Sequence, residues 1–459
     1  MVKIKRNNQR LKSLSEFALI LIFTGVFLLE LNIIQIYGDT NNNSQIKGSG
    51  AQVEFDIIWN NAYGGPGIEY SESIIRTSDS GYALLGRTNS TPSGDYDLFI
   101  LKTDNNGNQL WNLTLGNPFD DVGYQIVECP NSDLVILGDQ QYNSNDWAYD
   151  VYLARIDNTG TILRWNYTFG SSNSQELGRS LFLTNNSHFL IGGVYPISGL
   201  ESELWLIRTN SFGAHLWNKT YGGNETDRIF QNNLVLECDN GDIVMGGYTI
   251  SFGSGQSDVW LIKTDSFGNI IWNKTYGGSE LDRPQMISEC EDGGFIVCAN
   301  TNSYGQGDLD LWVIKTDSLG TPIWNMTLGG ETCDEGRSII EMDDGGFLIS
   351  GSTTKFGSGN GGLWLVKVDQ SGDFLWETGF GESQGELCKS MCLENQTCLV
   401  FTGKTEKNGN EDVWLIKINL NLIESGENGI PGYCLLGFSL ILAILFITQK
   451  VKNLTHFKD

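Results

Sequence analysis

Carboxylates beside arginines recur along this chain and are its first candidates for chemistry. They stand as Glu225, Asp227 and Arg228 in NETDR, as Glu280, Asp282 and Arg283 in SELDR, and as Asp334, Glu335 and Arg337 in TCDEGR. Paired carboxylates can work on a glycosidic bond, one protonating the leaving oxygen while the other attacks the sugar or activates water. The same E-x-D-R in successive places also fits repeated structural ion pairs, because a catalytic site usually breaks symmetry. Histidine is scarce. Three in 459 residues, one of them His456 near the C-terminus, leave His188 and His215, which weighs against a His-rich metal site and a Ser-His-Asp hydrolase. No D-x-[DN]-x-[DN]-G loop occurs, so no dedicated calcium loop is expected, and no cofactor is implied.

Other residue types have their own chemistry. Lys102, Arg155, Arg208, Lys263, Lys315, Lys367 and Lys417 each close a similar apolar segment, with an acid or Asn two positions on. Seven such charges in a ring could hold an anion; pairing with nearby acids is the plainer account. Trp147, in QQYNSNDWAYD, stands outside every pattern and is a candidate contact residue. Nine cysteines allow disulfides but not complete pairing. Cys392 and Cys398 flank a hairpin loop and are the best-placed pair, with Cys333 and Cys388 a second candidate, while Cys129, Cys238 and Cys290 share one repeat position as small apolar residues. Sequons W-N-x-T at Asn112, Asn166, Asn218, Asn273 and Asn325 offer N-glycosylation sites on an outward-facing protein.

These residues are positioned by a repeat. Trp59, Trp111, Trp165, Trp217, Trp272, Trp324 and Trp376 are spaced by 52, 54, 52, 55, 52 and 52 residues, and Trp205, Trp260, Trp312, Trp364 and Trp414 form a second column. Such regular tryptophans are expected to pack between sheets rather than to serve as sugar platforms. Each unit reads as four short strands, as in MISEC, GFIVCAN, DLWVIKTD and TPIWNMTLGG, separated by Gly- and Asp-rich turns. The third strand occurs seven times, from LFILKTD at 98 to VWLIKIN at 413. The last unit lacks a Trp strand and the chain begins with an orphan one, FDIIWNNAY, so the N-terminal strand is predicted to complete the last blade and leave no open edge. The expectation is an all-β, single seven-bladed β-propeller over residues 54–424, flanked by hydrophobic membrane helices. The E-x-D-R loops and the Gly-rich loops then share one face and converge on the channel mouth.

Units such as WNKTYGGSELDRPQMISECEDGGFIVCANTNSYGQGDLDLWVIKTDSLG resemble the β-propeller repeats of archaeal and bacterial surface and secreted proteins. The turn from Asp265 to Trp272, Asp-x-x-Gly-x-x-x-Trp, is similar to the tryptophan-docking turn of quinoprotein-type propellers and to the Asp-box of sialidases, where such turns are structural. The tail PGYCLLGFSLILAILF resembles the C-terminal sorting tails of archaeal surface proteins, although Tyr433 stands where the family form has Phe.

The ends point to a membrane. Basic residues 1–15 precede an apolar run from Phe17 to Tyr37, so 1–38 reads as a signal peptide or signal anchor, followed by a polar linker, 39–53. A linker at 425–430 leads to an apolar span at 431–448 and a basic cytoplasmic tail at 449–459. The two ends carry eight basic and three acidic residues, a net of +5, so of the total −26 the middle carries −31. That charge excludes a nucleic-acid partner. The reading is a non-catalytic cell-surface binding or structural module with a protein or glycan partner; the rival is a sialidase-like hydrolase using channel-mouth carboxylates.

Overall fold

In the computed structural model the described residues are 53–422, apart from short loops at 93–94, 143–147, 172–173, 198–200, 357–361, 382–385 and 407–409. Both apolar end segments and Trp147 lie outside them. Among the described residues no helix is long and apolar enough to cross a membrane.

Seven antiparallel sheets follow one another along the chain, as the repeat predicts. The fifth blade is made of Asp282–Glu289, Phe295–Thr301, Asp310–Thr316 and Pro322–Leu328, paired in that order. Its second and third strands are buried along their whole length, because both faces are covered by neighbouring blades; FIVCANT and DLWVIKT accordingly read as continuous apolar runs. The fourth strand lies at the rim and is largely exposed. The ring closes as expected. Val53–Tyr63 is the fourth strand of the last blade, pairing with Asp412–Leu422 from Val53 opposite Leu422 to Tyr63 opposite Val413. Across that junction Ser71 donates to the Gly403 carbonyl at 3.2 Å, joining the first blade to the last.

The rim tryptophans join one blade to the next. Trp59, Trp111 and Trp324 donate their indole N–H to the carbonyls of Asn105, Asn158 and Gln370, each in the turn between the third and fourth strands of the following blade. That turn must come close: Gly160 has φ 68°, and a Cβ there would lie 2.6 Å from the Trp111 ring. The second column is core, with Trp260, Trp312, Trp364 and Trp414 all buried. Its indoles need acceptors, and Asn218, Asn273 and Asn325 supply them to Trp205, Trp260 and Trp312.

The strand-closing bases are paired. Lys102, Arg155, Lys263, Lys315 and Lys367 reach Asp79, Asp133, Asp242, Asp292 and Asp344, and Arg208 and Lys417 reach Glu237 and Glu394. Six of these partners lie between the first and second strands, and Glu237 is the last residue of its first strand. The acids two positions after each base do something else: Asp265 and Asp317 accept the N–H groups of their own tight turns.

One irregularity recurs. Six first strands carry a β-bulge at the same place, between Ser71 and Ser73, Gly123 and Gln125, Gly178 and Ser180, Pro284 and Met286, Gly336 and Ser338, and Cys388 and Ser390. The residue left over in each is unpaired with the second strand, so its side chain is re-aimed. In the fourth blade the bulge is enlarged. Its first strand is broken into Asp227–Arg228 and Val235–Glu237, with three more residues between Asp227 and Cys238 than between Asp282 and Cys290.

Candidate functional site

The acid of E-x-D-R is a buried scaffold group. Asp282 accepts the Gly278 N–H at 2.8 Å, the Ser303 hydroxyl at 2.7 Å and the Thr301 hydroxyl. Asp227 does the same for Gly223, Ser251 and Thr249, and Asp334 for Gly330 and Thr353. The position is acidic in all seven blades: Glu69, Asp121, Glu176, Asp227, Asp282, Asp334 and Glu386, every one buried. Each lies at the mouth end of a first strand, and those with resolved bonds tie that end to the neighbouring loops. Asp227, Asp282 and Asp334 are thus buried, and among the described residues they accept hydroxyl and backbone donors and form no ion pair.

The flanking residues diverge. Glu225 and Glu280 are exposed, and their N–H groups donate to Ser251 and Ser303. Arg228 donates to the Ser202 hydroxyl at 2.7 Å. Arg337 pairs with Glu335 and donates to Gln285 at 3.3 Å. Arg283 lies on aromatic rings, its guanidinium carbon 4.8 Å from the Tyr248 centroid and 6.0 Å from that of Phe230.

The bulge residues form the channel-lining ring that the repeat conceals. They are Glu72, Tyr124, Arg179, Gln285, Arg337 and Lys389. Neighbours touch around the axis: Lys389 and Glu72 are 3.4 Å apart, and Arg179 lies over the Tyr124 ring at 4.0 Å while pairing with Asp139. The fourth blade fills the middle. Asn232 donates to the carbonyl of Glu72 at 2.8 Å and to that of Tyr124 at 3.3 Å, reaching blades one and two. Gln125 donates to the Asn233 side chain at 2.6 Å, and Asn233 has φ 57°, a left-handed conformation that Asn tolerates better than most residues. The segment Phe230–Asn233 is therefore a plug beneath the mouth. The 55-residue interval from Trp217 to Trp272 was its signal in the sequence, three residues longer than the commonest interval.

Electrostatics separates ring from scaffold. Burial pushes the Tyr124 phenol well above its ordinary value, so it stays protonated and does not serve as a base. Burial also pushes the Asp139 carboxyl up, against the opposing pull of Arg179.

The remaining expectations fall elsewhere. Trp147 lies outside the described residues. Cys392 and Cys398 are free thiols, as are Cys333 and Cys388. The expected bridge is not formed because the hairpin register sets Cys392 opposite Val400, leaving Cys398 two residues away along the partner strand. Burial pushes the two thiols up to about 12 and about 11. Asn112, Asn166, Asn218, Asn273 and Asn325 are all exposed on rim strands.

The blades, their closure and the central plug define a seven-bladed β-propeller with a non-repeated mouth. Solved propellers share its architecture. The WD40 domain of Pan2 from Neurospora crassa is 10% identical with a TM-score of 0.50, covering 81% of this chain and 97% of that one. Polysaccharide lyase Uly1 is 9% identical at TM-score 0.49, covering 82% and 94%, and Sqt1 from Chaetomium thermophilum is 11% identical at 0.46, covering 83% and 88%. At 10% identity the likeness to the Pan2 domain is one of fold alone. No protein-family model and no curated protein matches the chain.

Proposed function

We propose that the protein is a membrane-anchored, extracytoplasmic propeller that binds its partner at the channel mouth and does not turn it over. The carrying observation is the contrast between seven repeated buried acids and a ring of six bulge residues of five different types, Glu72, Tyr124, Arg179, Gln285, Arg337 and Lys389. Repetition at a fixed strand position is what folding requires; departure from it at an accessible mouth is what recognition requires. The described strand ends are compatible with anchoring: Val53 and Leu422 are register partners at the end of the last blade away from Asp412, on the side opposite the mouth. On that same side the turn tips Phe212, Phe267 and Leu319 are the most exposed large apolar residues, 69%, 70% and 63%. A bilayer on that side leaves the mouth facing outward.

The charged groups of the ring support binding without turnover. Glu72, Arg179 and Arg337 are each paired, with Lys389, Asp139 and Glu335. The reading is tested with a glycan array and a panel of chromogenic glycosides, using the full-length protein and an Arg179→Ala variant. Ligands retained by the wild type and Glu280→Ala but lost by Arg179→Ala support it. Binding indifferent to Arg179→Ala overturns it.

A glycan-active hydrolase remains the second reading. It is favoured by one observation, that an acid, a tyrosine and an arginine, Glu72, Tyr124 and Arg179, stand at the bulge positions of three adjoining blades. Turnover of a glycoside that is abolished by Glu72→Gln would replace the first reading with this one.

A further inference from the structure

Nine arginines stand among the described residues, and seven of them reach an acceptor. Arg87 and Arg283 do not. The Nε of each is buried without a hydrogen-bond partner. Their contacts are aromatic: Arg87 lies 4.3 Å from the Tyr70 centroid and 4.7 Å from that of Tyr96, matching Arg283 on Tyr248 and Phe230. In a chain with 55 acidic against 29 basic residues, carboxylates are abundant, so two guanidiniums that pair with none of those among the described residues are a specific arrangement. Both are at the mouth. Arg87 immediately precedes Thr88, whose hydroxyl donates to the scaffold acid Glu69, and Arg283 immediately follows the scaffold acid Asp282. In the sixth blade, beside Arg283, the Nε of Arg337 and the hydroxyl of Ser352 are also buried without partners.

A guanidinium stays charged at every physiological pH and offers its donors in a fixed plane. Aromatic faces against that plane fix its orientation while leaving the in-plane edge open, the edge that meets a carboxylate or sulfate in two parallel hydrogen bonds. The Nε of each is sealed off, but Arg87 and Arg283 as residues are only half-buried, so a ligand meets guanidinium charge that no protein carboxylate among the described residues neutralises.

We propose that the mouth binds an acidic oligosaccharide, its carboxylate or sulfate groups taken by Arg87 on one side and by Arg283 with Arg337 on the other. This rests on reading the mouth as the binding surface. Exposed aromatic surface at the same place, Phe230 above all, suits the apolar face of a sugar ring. The middle region's charge of −31 confines the ligand to a short chain or a chain end, since a long polyanion would be repelled where it ran out over the acidic surface.

The test is calorimetric titration of the full-length protein with four probes: trigalacturonate, its full methyl ester, a carrageenan-derived sulfated tetrasaccharide, and hexaglutamate. Binding of the trigalacturonate or the sulfated sugar is expected, the two arms separating carboxylate from sulfate, with the ester at least about tenfold weaker. Arg87→Gln and Arg283→Gln should each weaken binding about tenfold or more, with unchanged thermal melting, and Arg283→Lys should restore only part of the loss. An ester that binds as tightly as the acid, either Gln variant binding as the wild type does, preference for hexaglutamate, or no binding of any probe overturns the proposal. An ester whose binding is undiminished yet is abolished by Arg179→Ala would sink the anion chemistry while leaving the mouth as the binding surface.

Discussion

Replacing Asp282 by Ala removes the acceptor for three groups at once, the Gly278 N–H and the hydroxyls of Ser303 and Thr301. Asp282 and Thr301 are fully buried while Gly278 and Ser303 are half-buried, so the Thr301 hydroxyl gains no bulk water in exchange and the other two donors gain it only in part. An unsatisfied buried donor costs about 1–3 kcal/mol, and partial relaxation of the loop keeps the total toward the lower end, about 3–5 kcal/mol. A folded body of roughly 370 residues, from Val53 to Leu422, has an unfolding entropy near 0.8 kcal/mol/K at about 2.1 cal/mol/K per residue, so the melting temperature should fall by about 4–6 °C. Scanning calorimetry of the full-length protein reads this directly. Glu280→Ala, two residues away and exposed, is the control and should stay within about 0.5 kcal/mol of wild type. Thr301→Val completes a double-mutant cycle with Asp282→Ala, and a coupling of about 1–2 kcal/mol is expected because the two side chains bond directly. An Asp282→Ala protein that melts with the Glu280→Ala control would show that the repeated acids are not what ties the mouth loops together.

Three further outcomes follow from the same geometry. Burial, the largest cause in each case, raises the carboxyls of Asp97, Asp258 and Asp310 above their ordinary value and pushes Asp121 up to about 7. Groups raised on folding stabilise below their unfolded value, and that contribution is lost as pH rises through the folded values. Asp79, Asp292 and Asp344 are lowered, despite burial, by hydrogen bonds and their lysine partners, and their contribution is lost as pH falls through the folded values. Melting temperature should therefore peak near pH 5 and decline toward both pH 8 and pH 3, with Asp121→Asn flattening the alkaline limb; a flat profile between pH 5 and 8 contradicts the burial argument. Deleting residues 53–63 exposes the whole edge of Asp412–Leu422 and removes cross-strand pairs worth about 0.2–1 kcal/mol each, so unchanged melting on calorimetry would refute closure by the N-terminal strand. Excising Gln231–Asn233 gives the fourth blade the inner-strand length of its neighbours and puts Phe230 at the bulge position. Melting within a few degrees of wild type is expected, and a protein that no longer folds would show the plug to be structural.

Most of the scaffold was legible because it repeats. The tryptophan period counted the blades, the orphan strand FDIIWNNAY located the closure, and the seven strand-closing bases were matched to acids, though to partners nearer the start of each blade than the adjacent ones. The site was less legible for the same reason. A repeat reveals what is common to its units, and the bulge residues share a backbone position while Glu72, Tyr124, Arg179 and Gln285 share no chemistry. The E-x-D-R acids stood out because they recur, and recurrence here marks burial under Thr and Ser hydroxyls. The long interval between Trp217 and Trp272 was visible as a number, but a spacing does not say whether three residues enlarge an outer loop or cross the channel. Cys392 and Cys398 looked bridgeable from their separation alone, whereas strand register decides which side chains face each other.

The division of labour between repeated acids and non-repeated ring is tested most directly by measuring thermal stability and ligand capture together on two variants of the full-length protein. Asp282→Ala should lower the melting temperature by several degrees yet still capture ligand below its transition, while Arg179→Ala should fold and give up capture. Loss of capture in Asp282→Ala at temperatures where it is folded, with full capture in Arg179→Ala, would contradict the account.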